Sequence, residues 1–404
     1  MNRHQGDWVR TFFIIAAVGG VVFGVPVVSA GAAFLFVLAL AAEWLANRSL
    51  ETLKVAHRTS AAAVVIGDMA EVWVTVEHPR PWPLTVVHFE DAIPSGLEVS
   101  DPKPRGFQKV AMGSAVWGAF SVGPQERVRH RVVLVGRERG RWVMGPVRVW
   151  GGDPLGWTQF ELFAPDRAVM TVYPQLFPVP RGFLNPNRPQ GERRGPPWNP
   201  PDPLRVVGVR PYQSGDSRRL IHPHATAHTG TLQVKRLEPE GDEQLELLAL
   251  AATAPFIWQG VDKDRFESLV SAVASVGDMF LRTGSALGLS LVGSVYGWPR
   301  GVNLPPGRGP EHWARVMTAL AWVQPGGGQG HDLAPALLRL SRRLRPGAHL
   351  MYFACFHQPA WTPLLQRLVH RGVQVTFVPV AMTDPIPDMP GIRVRPWSPG
   401  LVTP

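Results

Sequence analysis

Three histidines and two arginines (His222, His224, His228, Arg218 and Arg219) fall within the sixteen residues GDSRRLIHPHATAHTG, Gly215–Gly230. Three chemistries suit such a set. Two histidines two apart on a strand share a face, as zinc or copper ligands would. Pro223 disturbs a regular strand there, however, and only Asp216 stands near as a further ligand. Alternatively, Arg210, Arg218, Arg219, Lys235 and Arg236 could gather an anion, with the SGD stretch (Ser214–Asp216) offering backbone N–H groups. A phosphate site wants a glycine-rich loop leading into a helix, which GDSRRL only weakly resembles. In the third reading the segment is structural: Asp216 caps a turn and pairs with Arg218 or Arg219, and the histidines form a polar seam where a partner could also dock. The structural reading is favoured, and the other two stay open.

Little else in the chain suggests chemistry. The single cysteine, Cys355, lies in the apolar run HLMYFACFH and reads as a buried thiol; one cysteine permits no internal disulfide and fits a reducing compartment. EPEGDE (Glu238–Glu243) could supply paired carboxylates for acid–base work, but a charged run before an apolar strand reads as a solvated loop. In GDPLGW, Asp153, Pro154 and Gly156 occupy the first, second and fourth places of a type I turn.

The elements that must hold these residues begin with an apolar run, residues 8–46, interrupted at FGVP (Phe23–Pro26). It is too long for one span of about 20 residues and suits two short ones. Trp8 and Trp44 lie at its outer ends, Arg3 and Arg10 precede it, and Arg48, Lys54 and Arg58 follow it. Basic flanks and a neutral tip predict a membrane hairpin with both ends cytoplasmic. The competing reading is a secretory signal peptide cleaved after VVSA, which would release an exported sandwich domain, but the apolar run continues for another span beyond it. The net charge of +10 then suits an anionic leaflet, and no nucleic-acid partner is expected.

Residues 55–178 read as β structure. AEVWVTVEH, LTVVHFEDAI, VRHRVVLVG and AVMTVYP are short valine-rich runs bounded by turn formers, as in a sandwich. Residues 179–205, rich in Pro and Arg, predict an extended linker. From residue 206 to 404, strand and helix patterns alternate. QLELLALAA, ALGLSLVG, HLMYFACF and VQVTFVPV are strands. Helices are expected over 264–283, PEHWARVMTALAWV, DLAPALLRLSRRL and PAWTPLLQRLVHRG. Such alternation predicts a parallel sheet with helices on both faces.

Three segments in this order resemble the bacterial "domain of unknown function 58" family. RERGRWVMGPVRVWGGDPLGWTQ is similar to its Arg-Gly, Gly-Pro and Asp-Pro-aromatic-Gly signature, placing Gly140, Gly145, Pro146, Asp153, Pro154 and Gly156 in that motif. VYPQL (Val172–Leu176) is the second. VGVRPYQSGDSRRLIHPHATAHTGTLQVKRLEPE is the third, in which Arg210, Tyr212, Gly215, Asp216, Thr229 and Gly230 join the arginines and histidines above. The resemblance implies a membrane-anchored β-sandwich followed by an α/β doubly wound domain like that of von Willebrand factor A. It also implies a genomic neighbourhood with MoxR-type AAA+ ATPases. Pro211, Pro223 and His228 depart from the family's usual Glu, Trp and Arg. The von Willebrand A-type domain holds Mg²⁺ through an Asp-x-Ser-x-Ser loop after its first strand. Here that loop reads LALAATAPF (Leu248–Phe256), with Thr253 as its one hydroxyl, and the later strand ends ACFHQ. No metal or cofactor is therefore expected.

Together these readings predict a multi-domain, membrane-anchored α+β chain that is not an enzyme. It would be an interaction or adaptor protein whose partner, by the resemblance, is a MoxR-type AAA+ ATPase serving a membrane or envelope complex. The alternative is an anion- or metal-binding protein or enzyme using residues 210–236.

Overall fold

The computed structural model describes residues 7–82, 84–100, 107–110, 113–152, 159–180, 183, 201–239, 244–297, 301–325 and 332–398. The described residues form a mixed α+β structure with five sheets, and the chain divides into two units at Tyr173/Pro174.

The first unit opens with helices α1 (Asp7–Val22) and α2 (Pro26–Glu51). Gly24, at φ +67°, turns the chain between them. Small residues let the two backbones approach: a Cβ on Gly20 would meet Ser29 N at 2.6 Å, and Ala32, Ala39 and Ala42 are buried. Arg10 and Glu43, the charges within the apolar run, pair with each other. Residues 26–49 of α2 are long and apolar enough to cross a membrane. With 16 residues, α1 rises about 24 Å, less than a hydrocarbon core of about 30 Å.

Twelve strands follow: β1 (Lys54–Thr59), β2 (Ala63–Val65), β3 (Met69–Glu77), β4 (Leu84–Pro94), β5 (Leu97–Val99), β6 (Phe107–Val110), β7 (Gly113–Val122), β8 (Arg127–Gly136), β9 (Gly140–Met144), β10 (Val147–Gly152), β11 (Gln159–Ala164) and β12 (Ala168–Tyr173). They form sheets of order β1-β3-β8-β5, β11-β10-β4-β7-β6 and β2-β12-β9. The alternation in AEVWVTVE is the mark of a strand with one wet face. Val72, Val74 and Val76 point inward to meet Val87 and Phe89 of β4, Leu134 of β8 and Met170 of β12 in one core.

The second unit begins with an antiparallel pair, β13 (Pro201–Pro211) and β14 (Gln233–Pro239). Residues 201–205, expected as linker, are thus strand, which Pro201 and Pro203 permit because a two-stranded ribbon leaves an edge free of N–H demand. Between the strands lie a 3-10 turn, Arg218–Leu220, and a seven-residue helix, α3 (Pro223–Thr229).

A six-stranded sheet of order β17-β16-β15-β18-β19-β20 forms the rest: β15 (Gln244–Leu250), β16 (Ala286–Val292), β17 (Val302–Gly307), β18 (His349–Ala354), β19 (Gln374–Pro379) and β20 (Arg393–Val394). All neighbours are parallel except β16 and β17. The crossovers are α4 (Lys263–Arg282), α5 (Gly309–Trp322), α6 (Ala334–Arg343) and α7 (Thr362–His370). On one face α4 approaches so closely that a Cβ on Gly277 would meet Leu247 and Leu287 at 3.3 and 3.4 Å. On the other, Leu337, Leu340, Leu365 and Leu368 of α6 and α7 pack on Leu248, Leu250 and Tyr352. Helices cover both faces, so β15 is buried on both sides and reads as an almost unbroken apolar run.

Candidate functional site

The sequence singles out residues 210–236, and the ribbon β13–β14 builds them into a compact polar loop. Arg210 stands opposite Val234. Its guanidinium grips Asp216 with two bonds of 2.7 Å, and Asp216 also accepts Gln213 N–H at 2.9 Å. The bond from Arg210, then that backbone N–H, hold the Asp216 carboxyl below its ordinary range. Asp216 therefore does cap a turn, but its partner is Arg210 rather than Arg218 or Arg219. The reason is geometric: the last two belong to a 3-10 turn that points them into solvent. Gly215, at φ +107°, is the residue that closes the loop. Tyr212 N–H donates to Leu232 O and shuts the ribbon behind it.

The histidines do not share a strand face. His222 is the N-cap of α3, where its Nδ1 accepts Ala225 N–H at 3.1 Å. Pro223 begins the helix, as its fixed φ favours. His224 is one residue further on, its ring 6.4 Å from that of His222, and His228 sits exposed in the last turn. Thr229 Oγ1 donates to Ala225 O, and Gly230, at φ +67°, ends the helix. His222 Nδ1 is thus occupied by the backbone, and among the described residues no three His, Cys, Asp or Glu side chains gather. Of the earlier motif, Gly140 and Gly145 take positive φ, +152° and +85°, and with Pro146 they bound β9. Asp153, Pro154 and Gly156 lie outside the described residues, as do residues 240–243 of the acidic run.

A second cluster, only partly anticipated, sits at the carboxyl ends of β15 and β18. Thr253 Oγ1 accepts Asp262 N–H at 3.1 Å, and Asp262 caps α4 by accepting Arg265 N–H at 3.1 Å. The Arg265 guanidinium reaches across to donate to Cys355 O at 2.7 Å. A fixed cation therefore spans the two strand ends. Burial pushes the Cys355 thiol up to about 11 and the His357 imidazole down to about 4, so neither is poised for nucleophilic or acid–base work near neutrality. Just beyond Thr253, Phe256 and Trp258 stack in parallel at 4.6 Å, with Trp258 80% exposed.

Sequence reasoning missed a third cluster. Glu246, fully buried in mid-β15, accepts Ser290 Oγ–H at 2.8 Å and pairs with Arg343 of α6. Burial, only partly opposed by Arg343, raises its carboxyl to about 7. A single Glu among leucines was the available signal. In the β unit, the His57 ring meets Asp91 at 2.9 Å between two sheets.

Residues 208–390, from within β13 to just before β20, match the family model "Protein of unknown function DUF58". This segment belongs to the DUF58 family. An uncharacterised protein of Bacillus subtilis, YeaD, is 24% identical over 277 residues, covering 69% of this chain. The chain spans 64% of that relative's length. Among solved structures, the CARDB domain of a Pyrococcus furiosus protein (13% identity, 30% of this chain, 86% of that one, TM-score 0.21) and a non-cellulosomal cohesin from Archaeoglobus fulgidus (16%, 30%, 91%, 0.22) resemble the chain only loosely.

Proposed function

We propose that this DUF58 protein is a non-enzymatic, membrane-anchored interaction protein, with α1 and α2 as a hairpin and its other domains in the cytoplasm. Its second unit is a degenerate relative of the von Willebrand A-type domain. The observation that carries this reading is the carboxyl edge of the parallel sheet. Ligands of such sheets bind beyond the carboxyl ends of the strands. Here the Thr253 hydroxyl and the Asp262 carboxylate at that edge are engaged by backbone N–H groups leading into α4. Arg265 spans the gap, and the stacked Phe256–Trp258 pair stands out in solvent, as exposed aromatic anchors do at protein interfaces. By family resemblance, the partner is an AAA+ ATPase of the MoxR class.

The test is affinity purification of the full-length chain from its native membrane in mild detergent, with and without ATP. Co-purification of such an ATPase, lost in the Phe256→Ser/Trp258→Ser double variant, supports the reading. Retention by that variant and loss on Arg218→Ala/Arg219→Ala would move the docking face to the 3-10 turn. No ATPase in either preparation overturns the partnership.

A further inference from the structure

The outer face of β1-β3-β8 carries a feature that neither the family nor the proposed function uses. Its inner neighbours Val72, Val74 and Val76 are buried, so alternation turns residues 73, 75 and 77 outward. Register then lays out three rows across the sheet: Lys54–Glu77–Arg127, Ala56–Thr75–Arg129 and Arg58–Trp73–Arg131. Glu77 takes Arg127 at 2.9 Å, and Glu71 takes Arg131. Among the described residues Arg58 and Arg129 have no carboxylate partner. Together with Trp73, Thr75, Glu77 and Arg127 they line a concavity of about 400 Å³.

The position of this groove narrows its ligand. Lys54 follows the last residue of α2, Glu51, by three positions, so Lys54, at one end of the first row, lies within about 10 Å of the helix end. The chain beyond the middle of that row is tied to α2 as well. Just after Glu77 the chain reaches Trp82, whose indole N–H donates to Ser49 Oγ of α2 at 2.6 Å. The Trp82 ring lies 6.5 Å from that of Trp44, with Arg80 over it. Indoles and arginines of this kind mark the level of lipid headgroups. The second and third rows stand two and four residues further along the strand, about 7 and 13 Å.

We propose that this groove binds the phosphate-bearing headgroup of an anionic lipid. Arg58 and Arg129 fork onto phosphate oxygens, the geometry for which guanidinium is suited. Trp73 offers its face to the glycerol part, and Glu77, held by Arg127, leaves the site cationic overall. An acidic peptide would satisfy the same charges but would have no reason to be met at the membrane end of the unit. The inference rests on α2 lying in a membrane. Headgroup binding in detergent reports on the groove alone, whereas carbonate extraction of the chain from membranes reports on the anchor alone.

The experiment is calorimetric titration of the full-length protein in dodecylmaltoside micelles. The probes are dihexanoyl phosphatidylglycerol, dihexanoyl phosphatidylcholine, inorganic phosphate and hexaglutamate. Phosphatidylglycerol should bind at least tenfold tighter than phosphatidylcholine and more weakly as salt rises. Arg58→Ala/Arg129→Ala should erase that preference without moving the thermal transition. Thr75→Glu, which leaves both arginines in place and adds a negative charge between them, should do the same. Equal affinity for the two lipids, or a preference that survives both variants, overturns the proposal. Hexaglutamate or phosphate binding as tightly as phosphatidylglycerol overturns the lipid as ligand.

Discussion

Two buried titratable groups give the residues of this chain opposite chemical histories but the same pH signature. Glu246 is raised to about 7 because burial penalises its charge more than Arg343 and Ser290 relieve it. Between the unfolded carboxyl value, about 4.5, and about 7, the folded chain holds a proton that the unfolded chain has released. Stability therefore falls as pH rises through that window, by about 3 kcal/mol in all. Glu246→Gln should flatten this slope, raising the thermal midpoint of the second unit at pH 8 and leaving it nearly unchanged at pH 5. A midpoint equally lowered at both values would show that the ionised pair holds α6 to the sheet. His57 differs in mechanism. Burial works against its charge, but the bond to Asp91, then the charges of Asp91 and Asp166, win and raise it. That contribution is complete below about 6.5 and is lost as pH rises through the folded value. Asp91→Asn should remove the loss from the β unit, measured as the difference in midpoint between pH 6 and pH 8.

At the scale of elements, the ribbon insertion shows what sequence patterning conveys and what it does not. Strand β3 was legible because one face is wet, and α4 because Phe266, Leu269, Val270, Val273 and Val276 recur at helical spacing. Helix α3 was not legible: PHATAHT is seven residues with no apolar stripe, and its histidines at 222 and 224 suggested strand alternation. Only the cap at His222 and the stop at Gly230 define it. The partner of Asp216 was hidden for a related reason, since a tight loop folds back six residues to Arg210, past the nearer arginines. The Arg58–Trp73–Arg129 face was hidden more deeply, because it exists only once three non-consecutive strands take register. The short helix yields its own prediction. A Cβ at Gly230 meets nothing within 4 Å, so Gly230→Ala adds left-handed strain alone, about 1–2 kcal/mol. Because the insertion is exposed, the effect should be local. Amides of residues 225–233 should exchange hydrogen about 5- to 30-fold faster, while those of β15 and β18 keep their protection. Loss of protection in the central strands would mean that the ribbon holds the large sheet together.

For the whole molecule, the cysteine that does no chemistry becomes useful. Cys355 is buried, with its thiol pushed up to about 11, so the native chain should react slowly with maleimides in its folded state. That quiet background allows orientation to be read from single introduced cysteines. Phe23, between α1 and α2, is 83% exposed, and Met69, at the start of β3, is 66% exposed. If basic flanks keep both ends of the apolar run inside, the two positions lie on opposite sides of the membrane. Phe23→Cys should then react with a membrane-impermeant maleimide on intact spheroplasts, and Met69→Cys only after lysis. The short α1 makes the outcome informative, because a helix of about 24 Å must thin the bilayer or lean on α2 through the Arg10–Glu43 pair to reach the far side. Labelling of Met69→Cys on intact spheroplasts would place the β unit outside. Protection of Phe23→Cys before and after lysis would mean that α1 stops within the bilayer, leaving α2 as the single anchor.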